Sequence, residues 1–131
     1  MPLAHTDAVR ACPCGSGTPL PACCGPLLLG ARVAETPEEL MRSRYTAYAL
    51  GDDGHVFRTW HPSTRPADVT GDPQLTWTGL RIVDTADDEV EFVASYEIHD
   101  PDGAVRHGQM HERSRFARRA GRWMYLDGAV E

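Results

Sequence analysis

The chain has 131 residues, a formal charge of −6 and 41% hydrophobic residues, which suits one compact domain with a small appendage. An acidic chain is a poor general ligand for nucleic acid or anionic membranes, whose phosphates are met by basic side chains. No apolar run approaches the roughly 18 residues of a membrane span. Residues Met1 to Val9 are polar and hold no apolar core of a secretory leader, so a cytoplasmic protein is expected.

In chain order, the first signal is a cluster of the only four cysteines: Cys12, Cys14, Cys23 and Cys24. Two closely spaced pairs on a short loop can wrap one tetrahedral zinc ion. Gly15 and Gly17 permit tight turns beside the sulfurs, and Pro13, Pro19 and Pro21 stiffen the loop. Cross-paired disulfides are the competing use of four cysteines, and bonds within either close pair would be strained. A four-cysteine zinc site has no open coordination position, which points to a structural or docking role and away from Lewis-acid catalysis. Leu27-Leu28-Leu29 follow and are expected to dock this knuckle onto the rest of the chain.

Thr36-Pro37-Glu38-Glu39 supplies an N-cap threonine, a proline at N1 and a capping-box glutamate, and Gly51 supplies a stop. The spacing predicts a helix over 37–50, with Leu40, Ala47 and Leu50 on one stripe. A shorter helix is expected near 53–60, stopped by Pro62. Four strands follow, over 75–84, 90–99, 105–117 and 122–129. The short turns at 85–88, 100–103 and 119–121 imply an antiparallel meander. Helices first and a long sheet second describe an α+β fold, with a curved four-stranded sheet wrapping the helices as a cone. The expected division is a knuckle over 1–30 and a cone domain over 31–131.

Cys12-Pro13-Cys14-Gly15-Ser16-Gly17, with eight residues between Cys14 and Cys23-Cys24, resembles the SEC-C motif, named for the carboxy-terminal tail of the SecA translocation motor. That resemblance implies zinc at the four cysteines and docking onto a protein or ribosome-associated partner. Leu40 to Tyr48, Thr59-Trp60-His61-Pro62, His111 to Phe116 and Gly121 to Gly128 together resemble the YchJ family. The family joins a SEC-C motif to a domain similar to nuclear transport factor 2. Some members carry a second SEC-C motif at the C-terminus. This sequence ends at Glu131 without one, which weighs against docking that needs two knuckles.

Alternation along the third strand puts Met110, Glu112, Ser114 and Phe116 on one face. If that face is inward, Glu112 is carried among apolar groups and needs a partner. Arg42 and Arg44 on the long helix, and His61 after the second, are the candidates. Two readings follow. One is a polar pocket with Glu112 and His61 as acid and base, bounded by Tyr45, Trp60, Ser114 and Trp123. The other is an Arg–Glu pair that fixes helix against sheet. His107 and His111 lie about 13 Å apart on an extended strand, too far to share a metal. No Gly-x-Ser-x-Gly elbow surrounds Ser43 or Ser114, so a serine nucleophile is not expected. Arg113, Arg115, Arg118, Arg119 and Arg122 form either a solvated face or an anion contact.

Three functions are therefore in play: a non-enzymatic zinc adaptor, a small-molecule binder or enzyme using the cone, and a purely structural zinc staple. A homodimer is expected if one sheet face needs cover.

Overall fold

The computed structural model describes residues 10–130, so the polar start Met1–Val9 lies outside the described residues. A 3₁₀ turn at Leu20–Ala22 leads into a short helix, α1 (Gly25–Leu28). Then come α2 (Pro37–Leu50) and α3 (Asp53–Arg58). Four strands complete the chain: β1 (Leu75–Thr85), β2 (Glu89–His99), β3 (Val105–Arg119) and β4 (Arg122–Val130). They form one open antiparallel sheet in the order β1-β2-β3-β4. The α+β class and the meander are as the sequence predicts.

The long helix forms where its caps place it. Thr36 Oγ1 accepts from the Glu39 amide at 3.1 Å, and Gly51 closes the helix at φ 78°. The capping box is only half made: the Glu39 carboxylate accepts from the Glu35 amide at 2.8 Å and pairs with Arg32 at 2.6 Å. The second helix is shorter than the sequence suggests and ends at Arg58, before Pro62 acts. The Thr59 amide still reaches His55 O at 3.1 Å, but the Trp60 amide turns to Phe57 O at 3.3 Å instead of continuing the helix to Val56 O. Thr59 Oγ1 donates to His55 O at 2.7 Å, and Arg44 Nη1 donates to Val56 O at 3.0 Å. Beyond it the chain runs beside β4, with His61 N donating to Tyr125 O and Tyr125 N to Thr59 O, both at 2.8 Å.

One buried cluster joins the cysteine segment to the rest. Cys12, Cys14 and Cys24 pack with Leu40, Met41 and Tyr45 of α2 and with Val90, Phe92, Ala94 and Phe116 of the sheet. Of the three leucines after the cysteines, Leu27 docks and is 6% exposed, whereas Leu29 stands 85% exposed. The knuckle is thus held through its sulfurs as much as through the leucine run.

The inward face of β3 carries Met110, Glu112, Ser114 and Phe116, as alternation requires. The β3–β4 register shifts between Arg115 and Phe116, where Leu126 is the extra residue, but the irregularity falls on β4 and leaves β3 facing intact. The outward face, expected to want a cover, is charged and largely self-paired. Arg113 meets Glu89, Glu91 and Asp84, and Arg115 meets Asp127 at 2.7 Å. Two of the clustered arginines are thereby neutralised, and Arg118 lies over the Trp123 ring at 4.6 Å. Among the described residues no helix is long and apolar enough to cross a membrane.

Candidate functional site

Two constellations flank α2. The first is the cysteine cluster. All four sulfurs lie within 4.8 Å of one another, with Cys14–Cys23 at 3.6 Å and Cys23–Cys24 at 4.0 Å. A tetrahedral zinc–thiolate site with bonds of about 2.3 Å has sulfur–sulfur edges of about 3.8 Å. The donor set therefore fits one ion almost as it stands, and disulfide bonds would need the sulfurs nearly half as far apart. Cys12, Cys14 and Cys24 are buried and Cys23 is half-buried. Gly15 sits at φ 79°, and a Cβ there would lie 3.1 Å from Leu80 O, so the turn after Cys14 requires glycine.

Polar neighbours complete the surroundings. Ser16 Oγ lies 3.1 Å from Cys23 Sγ, and Thr46 Oγ1 of α2 lies 3.5 Å from Cys12 Sγ. Arg42 Nη1 donates to Cys14 O at 2.7 Å. Hydrogen bonds, chiefly from Cys24 and also from Ser16, draw the Cys14 thiol down to about 4 despite burial. Its thiolate in turn pushes Cys24 up, while burial pushes Cys23 up. Without a cation the cluster favours one thiolate and opposes the next; a central divalent ion reverses that opposition. The cluster is compatible with metal binding.

The second constellation is a cavity of about 290 Å³ between α2 and the sheet. Met41, Arg44, Tyr45 and Tyr48 line it from the helix, Trp60 from the segment after α3, and Trp77, Phe92, Ala94, Met110, Glu112, Ser114 and Tyr125 from the strands. Glu112 Oε2 accepts from Ser114 Oγ at 2.6 Å and from the Tyr125 hydroxyl at 3.3 Å. A Cβ at residue 128 would overlap the Glu112 carboxylate, so Gly128 is the floor on which that carboxylate rests.

Arg44 is only 3% exposed. Its Nη1 donates to Val56 O at 3.0 Å and to Thr59 Oγ1 at 2.8 Å. The guanidinium carbon lies 5.0 Å from the Trp60 ring centre and 4.4 Å from that of Tyr125, a cation–π sandwich. Among the described residues, no carboxylate oxygen comes within the 4.0 Å of an ion pair. Burial lowers the Arg44 pKa and raises those of Tyr48 and Tyr125, the latter with help from Glu112.

The sequence candidates thus separate. Glu112, Arg44, Tyr45, Trp60 and Ser114 meet at the cavity, whereas Arg42, His61 and Trp123 do not line it. Arg42 faces the cysteines because two residues along a helix is a turn of about 200°. His61 lies outside because its ring folds back on its own turn, with Nδ1 accepting from the Ser63 amide at 3.1 Å. Trp123 instead borders a smaller hollow with Leu27, Leu40 and His55. The Arg–Glu pair expected to tie helix to sheet is not formed by direct contact with either arginine. Sequence reasoning missed Tyr48 and Tyr125 as walls, whereas Trp77, read as core or as pocket lining, does line the cavity. Tyr48 is four residues after Arg44 on the same helical face, a signal that was available. Ser43, expected to be no nucleophile, donates to Leu40 O at 2.8 Å and meets His55 Nε2 at 2.9 Å in the buried core.

The profile of the family described as YchJ, middle NTF2-like domain, matches residues 36–128. A UPF0225 protein of Deinococcus radiodurans is 53% identical over 120 residues, covering 92% of this chain and 89% of that one. The UPF0225 protein SCO1677 of Streptomyces coelicolor is 48% identical, covering 89% and 93%. Among solved structures, the SEC-C motif containing protein RPA3114 from Rhodopseudomonas palustris is 34% identical. It superposes with a TM-score of 0.76 over 92% of this chain and 98% of its own. A SEC-C motif containing protein from Psychrobacter arcticus, 22% identical, shares the fold with a TM-score of 0.63 over 96% of this chain and 85% of its own.

Proposed function

This chain belongs to the YchJ family, and on that premise we propose that it is a ligand-binding protein whose cone cavity takes a small molecule and whose four cysteines hold one structural zinc. One observation carries the reading: Arg44 and Glu112, opposite in charge and each held by neighbouring side chains, Tyr125 among both sets, line one cavity without pairing. Arg44 is buried with no carboxylate partner and Glu112 is half-buried beside it, and an uncompensated charge drawn out of water is costly in a fold that has no use for it. Binding is favoured over catalysis because His61, the expected second acid/base group, stands away from Glu112.

The zinc is structural because four thiolates close the coordination shell. Its contribution reaches the cavity through α2, which contacts the knuckle through Arg42 and Thr46 and presents Met41, Arg44, Tyr45 and Tyr48 to the ligand. Four thiolates on zinc also suit a reducing, cytoplasmic setting. Metal analysis of protein purified under reducing conditions should give one zinc per chain; four titratable thiols without metal would contradict it. For the cavity, indole serves as a neutral aromatic probe. Amide chemical shifts should move at Tyr45, Ala94 and Met110 and saturate. Shifts confined to the outer sheet face, or none, would overturn the reading.

A docking role through the knuckle is a second reading, favoured by Leu29, whose apolar side chain stands in solvent five residues after Cys24. Co-sedimentation with ribosomes should then be lost in Leu29→Asp while zinc content is kept. Equal sedimentation of both forms, or none by the wild type, removes it.

A further inference from the structure

Resting on the ligand-binding reading above, we infer that the cavity takes a small zwitterion of the α-amino-acid type, its carboxylate toward Arg44 and its ammonium toward Glu112. The lining carries one cation and one anion, so it offers no excess charge for a lone anion or a lone cation. An anionic ligand would meet the Glu112 carboxylate, and a cationic one the Arg44 guanidinium, each at the cost of a desolvated like-charge contact. A neutral aromatic ligand can use the apolar wall but leaves both charges uncompensated, so it binds less tightly than a zwitterion.

The two charges are held apart by design of the scaffold. Arg44 is fixed between the Trp60 and Tyr125 rings and tethered through Nη1 to Val56 and Thr59. Glu112 is fixed through Oε2 by Ser114 and Tyr125, over Gly128. Each retains unused capacity: among the described residues, Arg44 Nη2 and Nε have no acceptor, and Glu112 Oε1 has no donor. A preorganised donor fork and a preorganised acceptor spend little further order on binding. Tyr45, Tyr48, Trp77 and Phe92 supply the apolar wall for the ligand's side chain, and about 290 Å³ limits it to one small molecule.

Four indole compounds separate the charge requirement from cavity binding: L-tryptophan, tryptamine, indole-3-propionate and indole, each titrated calorimetrically into the zinc-loaded full chain. L-Tryptophan should bind about tenfold or more tighter than tryptamine and indole-3-propionate. In Glu112→Gln, indole-3-propionate should match or exceed L-tryptophan. Indole binding while L-tryptophan is no tighter than its singly charged analogues overturns the zwitterion inference and leaves the cavity reading standing. Failure of all four to bind overturns both. The comparison among ligands is made on the wild type, so it stands even if the variant folds poorly.

Discussion

His55 is a buried acid-sensitive group away from both sites, and its replacement gives a worked test of the packing under α2. It is 3% exposed, and its Nε2 meets Ser43 Oγ, which itself donates to Leu40 O. Burial lowers its pKa from 6.5 to about 4, with Arg58 and Arg44 adding to the shift and Asp52 opposing it. The folded value lies below the unfolded one, so between these pH values the unfolded chain binds more protons. Stability therefore rises with pH across that window and is lost as pH falls from about 6.5 toward 4. A shift of this size is worth at most about 3 kcal/mol in full, and up to about 2 kcal/mol between pH 7 and pH 5. His55→Gln keeps an amide donor near Ser43 and removes the titration. Urea unfolding of both forms at pH 7 and pH 5 isolates the term, because acid loss of metal and carboxylate protonation act on both alike. The wild type should lose up to about 2 kcal/mol more than the variant on acidification. Equal losses would show that His55 is not buried neutral as described.

Further outcomes follow from particular contacts. The β3–β4 turn holds Ala120 at φ 53° and Gly121 at φ 80°, a left-handed pair in which alanine is strained; Ala120→Asn should gain about 1 kcal/mol by thermal melting. Gly128→Ala would drive a Cβ into the Glu112 carboxylate and should cost about 1–3 kcal/mol in urea unfolding, with a weaker response to indole. Arg42→Met removes the bond to Cys14 O and should cost about 1–2 kcal/mol while speeding metal release to a chelator. Chelation under reducing conditions should lower the melting temperature and speed hydrogen exchange along α2, because metal binding contributes folding energy. Unchanged exchange along α2 would mean that the cysteines do not brace the cavity wall.

Much of the fold was legible because its signals are local. Thr36, Pro37 and Gly51 bracket α2 at the residues where it begins and ends, and the turns between strands have their own chemistry. The period of two along β3 placed Glu112 and Ser114 inward, a face that one bulge on β4 did not disturb. The cysteine set was legible from spacing alone. Partners were not, because they depend on the orientation of one element against another. Arg42 and Arg44 look interchangeable in sequence, yet about 200° of helical rotation sends one to the knuckle and the other to the cavity. His61 and Trp123 occupy chain positions beside the site, but a ring folded onto Ser63 and a side chain stacked under Arg118 carry them elsewhere. The end of α3 falls short of 60 because Val56 O accepts from Arg44 instead of from the Trp60 amide, a tertiary event that Pro62 cannot report.

The central claim, that function lies in the cavity and the metal only braces it, is tested most directly by filling the cavity while leaving the cysteines untouched. Ala94 is 1% exposed and lines the cavity, so Ala94→Phe puts a ring where the ligand would sit. Indole is titrated calorimetrically into wild type and Ala94→Phe, each with its zinc content measured. The account predicts one zinc in both proteins and indole binding in the wild type alone. Equal indole binding by both, at equal zinc content, would contradict it.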